Sequence, residues 1–84
     1  MQKIIPTTLS NLATLMDTTD TKCQGVYMQA DAGNTGNIFF GRSGNVDFFL
    51  EPGKSSTYLI NNARDMFVRS ENGTEVLSFD IMQE

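Results

Sequence analysis

Few residues of this chain are of a type that does chemistry on its own. There is no histidine and one cysteine, Cys23, among 84 residues. Without an imidazole, a Ser-His-Asp triad, a Cys-His pair, a histidine metal centre and a Cys/His zinc site are all excluded. Gly53-Lys54-Ser55 has the ending of a phosphate-binding loop. The earlier glycine that the loop needs is replaced by Phe48, and the residues that follow read as strand where a helix is required. Asn72-Gly73-Thr74 matches a glycosylation triplet, but no secretion signal accompanies it, so it reads as a turn. Asp17, Asp20 and Asp31 lack the spacing of a calcium loop. Asp47 and Glu51, as a glycosidase pair, would need a deep cleft that so small a chain seldom builds. The expectation is a protein with no catalytic residues, no metal and no cofactor, and not an enzyme.

Charge narrows the partners. Six basic against ten acidic residues give a net charge of −4. The basic residues Lys3, Lys22, Arg42, Lys54, Arg64 and Arg69 stand singly, so no patch is expected to neutralise nucleic acid phosphates. No apolar run is long enough to span a membrane, and the N-terminus lacks a signal-peptide stretch. These features predict a soluble protein made in the cytoplasm. A lone cysteine offers no internal disulfide, and Cys23 is expected to be a small buried hydrophobe.

The elements that must carry any site read as strands. Seven Gly, two Pro and six Phe, with no long Ala/Glu/Lys/Leu run, point to β structure. Residues 26–30 alternate, with Val26, Met28 and Ala30 on one face. A Gly/Asn loop over 31–37 precedes Ile38-Phe39-Phe40, and a tight connection over 41–45 leads to a strand at 46–50. Glu51-Pro52-Gly53-Lys54 suits a type II turn, with proline fixing φ and glycine supplying φ > 0. Further strands are expected at 56–60 and 65–69. Asn72-Gly73 predicts a hairpin joining 67–69 to 75–81. Leu77, Phe79 and Ile81 would then face the core. Residues 1–22 carry mixed signals, a short helix from Leu9, Leu12, Leu15 and Met16 against an extended edge strand or arm from Pro6 and the threonines. A single β domain is expected, with 1–22 as an N-terminal segment and 23–84 as the core of a small antiparallel β-sandwich or jelly-roll-like barrel.

Apolar residues exceed what one core face can hold. If Ile38, Phe40, Phe48, Met66 and Val68 fill the core, then Phe39, Phe49 and Phe67 point the other way. Three aromatics on neighbouring strands form a patch, which predicts self-association through Phe39, Phe49 and Phe67, with Tyr27 as a lesser addition.

Residues 23–81 also resemble a family of small bacteriophage virion proteins. The resemblance is carried by Cys23 with Val26-Tyr27-Met28-Gln29-Ala30, by Asn34-Thr35-Gly36-Asn37-Ile38-Phe39-Phe40-Gly41, by Leu50-Glu51-Pro52-Gly53-Lys54-Ser55 and by Asp65-Met66-Phe67-Val68-Arg69-Ser70. This chain departs from the family pattern in having Phe39, Phe40 and Phe67 where Tyr or Val is usual, and in lacking an aspartate after Gly41. The resemblance implies a compact sandwich forming a symmetric oligomer, expected to be a homotrimer, on the capsid exterior. The implied role is that of a head decoration or cement protein bound to the major capsid protein. A tail, neck or baseplate component, or a glycan-binding module, are the alternatives. For the glycan module, the absence of tryptophan removes the usual stacking platform.

Overall fold

A computed structural model describes residues 1–16 and 22–82. Its strands are β1 (Gln2–Ile4), β2 (Ser10–Asn11), β3 (Gly25–Ala30), β4 (Ile38–Arg42), β5 (Asn45–Leu50), β6 (Ser55–Tyr58), β7 (Phe67–Ser70) and β8 (Leu77–Met82). They form two four-stranded antiparallel sheets, ordered β1-β8-β3-β6 and β2-β7-β4-β5. The sheets pack face to face as a sandwich and do not close into a barrel. Alternation explains the layering. Val26, Met28 and Ala30 of β3, and Leu77 and Phe79 of β8, are fully buried and meet Ile38, Phe40 and Val68 from the other sheet. Cys23 is buried at the edge of this core, and its thiol donates to the Ile60 carbonyl at 3.2 Å.

The first sixteen residues combine both readings of their sequence. β1 is an edge strand paired to β8, and β2 is an edge strand paired to β7, so the chain crosses between sheets within a few residues. Buried Pro6 lies at the crossing, where its carbonyl accepts the Ser70 amide at 2.8 Å. One helical turn, α1 (Leu12–Leu15), follows. Asn11 caps it by accepting the Thr14 amide, and Leu12 and Ala13 go into the core while Leu9 stays exposed.

The hairpin expected at Asn72-Gly73 does not form. β7 and β8 belong to different sheets, and the turn carries the chain from one to the other. Both edges of β7 are taken, by β2 and β4, so β8 has none to join. The turn itself is organised by Glu75, which shares the inward phase of Leu77 and Phe79 and is 1% exposed. Its Oε1 accepts from the Asn72 backbone amide at 2.7 Å and the Ser70 hydroxyl at 3.0 Å. Its Oε2 accepts from the Asn72 side-chain amide at 3.1 Å and the Thr35 hydroxyl at 3.3 Å. A carboxylate held this way closes the turn upon itself. The neighbouring loop is sewn to the same junction. The Asn34 side chain donates to the Val76 carbonyl at 3.0 Å and accepts the Val76 amide at 2.8 Å, standing in for a strand partner.

These donors, the Asn72 backbone amide foremost, hold the Glu75 carboxyl down from its ordinary 4.5 to about 2, against the opposing effect of burial. Between those two values the unfolded chain takes up a proton that the folded chain refuses, so acid favours unfolding. The contribution of Glu75 is therefore present above about pH 4.5 and lost as the pH falls towards about 2. Thermal unfolding followed across that window should show the melting temperature dropping, with a slope that Glu75→Gln flattens.

Candidate interaction surface

One hairpin positions four of the six phenylalanines. β4 and β5 are joined across Ser43 and Gly44, with Arg42 opposite Asn45 and Gly44 at φ +78°. A bulge lies between the Phe40 and Arg42 pairs, where two residues of β5 face the single Gly41. The bulge draws the β5 backbone against Gly41, in space that a side chain would fill. Beyond it the register is regular: Phe40 faces Phe48, Phe39 faces Phe49 and Ile38 faces Leu50.

Phe39, Phe49 and Phe67 share the outer face of the β2-β7-β4-β5 sheet. The Phe39 and Phe49 rings lie 6.4 Å apart and tilted by 57°. Arg69, opposite Phe39 on β7, sets its guanidinium 4.6 Å from the Phe39 ring centre, a cation–π contact that half covers it. Phe67 stands one step along β7, opposite Gly41 on β4 and Asn11 on β2. Phe39 and Phe67 are half-buried, and Phe49 is 53% exposed. The face is thus an aromatic row with one cation laid across it.

Tyr27 is not part of this row. It occupies an outward position of β3 in the other sheet, flanked by Thr57 and Asp80, on the opposite side of the sandwich. The sequence pairs it with the three phenylalanines by residue type alone. The alternation that sends Val26 and Met28 inward places it a sandwich thickness away.

Phe48 departs from its expected place in the core and is 53% exposed. Its phase is inward, as the Phe40 pairing requires, but β5 is the edge of its sheet, so no further strand covers it. Its ring stacks on Phe40 at 5.6 Å and meets Tyr58 of β6, the edge of the other sheet, at 5.9 Å. Phe40 meets Tyr58 edge-on at 5.5 Å. The three rings close the flank of the sandwich between two edge strands. Tyr58, at the end of an otherwise Ser/Thr strand, carried no signal of this role beyond its inward phase opposite Val26.

The remaining motif residues serve turns. The Lys54 amide donates to the Glu51 carbonyl at 3.0 Å, and Gly53 has φ +79°, which completes the type II turn before β6. Asp31 Oδ2 accepts the Gly33 amide at 3.0 Å. Asp17 and Asp20 lie outside the described residues. Among the described residues no three His, Cys, Asp or Glu side chains gather where they could hold a metal ion, and no helix is long and apolar enough to cross a membrane. The oxygens of Glu75, the most enclosed carboxylate described, are engaged by protein donors, so the group is committed to structure. Comparison with protein-family models, with curated proteins and with solved structures finds no match.

Proposed function

We propose that this protein is a non-enzymatic structural subunit of a bacteriophage particle, a capsid decoration or cement protein that works as a homotrimer on the capsid exterior. Its task is mechanical. It bridges neighbouring copies of the major capsid protein and buries surface that internal pressure would otherwise pull apart. The observation that carries the reading is the outward row of Phe39, Phe49 and Phe67, crossed by Arg69, on a sheet that nothing in the described chain covers. Aromatic residues and arginine are the side chains that dominate the centres of protein interfaces. Permanent contacts of this kind bury on the order of 2,000 Å² or more and are apolar at their middle. The resemblance of residues 23–81 to small virion proteins supplies the setting.

Light scattering on the purified chain, beside a binding assay with empty capsids, tests this reading. A trimer that binds capsids at fixed stoichiometry is expected. Phe49→Asp places a charge on the most exposed ring of the row and should return the protein to smaller species with little loss of fold, since that side chain is half in solvent already. An unchanged mass for Phe49→Asp would remove the aromatic row as the contact. A wild-type chain that ignores capsids would remove the capsid role.

A further inference from the structure

We infer that β5 is a pairing strand for a second copy of this chain, joined edge to edge and antiparallel about a two-fold axis. This contact goes beyond the three-fold one proposed above, because it uses the edge of the sheet and not its face.

The four sheet edges differ in how they are guarded. Exposed strand edges carry unpaired amides and carbonyls and are usually kept from pairing by shortness, lysine, proline or polar composition. β1 is three residues long, contains Lys3 and runs on towards Pro6. β2 is two residues. β6 is Ser55-Ser56-Thr57-Tyr58, with no aliphatic side chain. β5 has six residues, Asn45-Val46-Asp47-Phe48-Phe49-Leu50, with no lysine, arginine or proline. Among the described residues it pairs with β4 alone. The bulge, another guarding device, takes up Val46 and Asp47 and leaves Phe48 to Leu50 in regular register.

Exposure says what kind of partner fits. Phe48 and Phe49 are adjacent and point to opposite faces, yet each is 53% exposed. A protein lying flat on either face would reach one of them. A strand added along the edge extends both faces at once and reaches both rings. Such a strand must itself be a free edge with apolar side chains on its two faces, and among the described elements β5 is the one that qualifies.

Charge then selects the register. A two-fold antiparallel pair sets residues of equal phase opposite each other, so some residue near the middle meets its own copy. Centring on Asp47 opposes two aspartates. Centring on Phe49 opposes Asp47 and Glu51. Centring on Phe48 stacks the two Phe48 rings and sets Asp47 against Phe49, with no like charges opposed. The product is one continuous eight-stranded sheet with the second sheets of both copies on the same side.

Cysteine cross-linking under mild oxidation tests the register. Opposed residues in antiparallel strands have Cα atoms about 4.5–5.5 Å apart, within disulfide range, whereas residues two steps out of register lie beyond about 7 Å. Phe48→Cys should give a disulfide-linked dimer and Asp47→Cys should not, while buried Cys23 leaves the parent chain unlinked. A dimer from Asp47→Cys alone, or from neither variant, overturns the inference. Hydrogen exchange on the unaltered protein is the check that needs no folded variant. The alternate β5 amides that point away from β4 should gain protection as protein concentration rises, and exchange that stays unprotected at every concentration overturns the inference equally. Neither readout depends on a trimer. A solution mass of a dimer with no trimer therefore removes the three-fold contact and leaves this one, a monomer at every concentration removes both, and a trimer with neither cross-link nor protection removes this one alone.

Discussion

Glu75→Ala is expected to be the most damaging single change on the polar side of this fold, with the melting temperature falling by on the order of 10 °C. The loss is not that of one contact. Removing the carboxylate leaves the Asn72 backbone amide, the Ser70 hydroxyl, the Asn72 side chain and the Thr35 hydroxyl without the acceptor they share. The Ser70 hydroxyl is buried, and a buried donor left unmade costs more than the bond itself contributed. The 31–37 loop should loosen along with the turn at 72–73, because Thr35 reports to Glu75 and Asn34 to Val76. Glu75→Gln should recover only part of the stability. Its amide keeps one accepting oxygen and turns an NH₂ group towards groups that are themselves donors. Thermal unfolding of both variants, with amide exchange read at residues 33–37, checks the order: parent above Gln above Ala. Equal melting temperatures for all three would mean that the buried carboxylate does not hold the junction.

The second large effect is expected at Gly41. A Cβ built there would stand 2.3 Å from the Asn45 carbonyl oxygen and 2.9 Å from the Val46 Cα. Both obstacles are backbone, so no side-chain rotation relieves the clash and β5 must move away from β4. A cost of about 3 kcal/mol is expected for Gly41→Ala, at the upper end for overpacking. Gly44→Ala, three residues on, separates the causes. Its Cβ would meet nothing within 4 Å, and only its φ of +78° resists the substitution, which costs about 1 kcal/mol. Denaturant unfolding of the two variants should therefore differ by about 2 kcal/mol. Because Gly41 sets the register that faces Phe39 with Phe49, its variant should also lose self-association more readily than stability alone dictates.

Much of this architecture is legible as alternation. Val26, Met28 and Ala30, then Leu77 and Phe79, announce which face of each strand is inward, and the outward set Phe39, Phe49 and Phe67 follows by the same phase. Alternation does not say which sheet a strand joins. Asn72-Gly73 is a strong local turn signal and a turn forms there, but the flanking strands do not pair, because β2 and β4, remote in sequence, hold both edges of β7, while Glu75 turns inward to close the turn. Nor does phase say whether a strand is central or peripheral, and that is why Phe48 points inward yet stays half exposed at the rim. The role of Gly41 is not legible in the sequence for a related reason. Its need for a missing side chain arises from the bulge opposite, which no local pattern encodes. In residues 1–16, a short strand, a buried proline crossing, a second strand and one helical turn succeed one another faster than any periodicity can register.

The strand order has a bearing on how the chain reaches this structure. Among the described strands that follow one another in the chain, only β4 and β5 are hydrogen-bonded neighbours; each other successive pair is split between the two sheets. Pairing therefore joins segments far apart in the chain, and domains of that kind fold slowly for their size. β3, one of the two inner strands of its sheet, finds its partners in β6 and β8, and β1 waits for β8 as well. As the chain leaves the ribosome, the one hairpin that can assemble early is the one bearing the unguarded edge and most of the phenylalanines. β1 stays unpaired, and β3 paired on one side alone, until residues 77–82 have been made. Crowded synthesis of many copies would then bring these hairpins together before their own sandwiches have closed, so slow expression at low temperature should improve the yield of soluble protein.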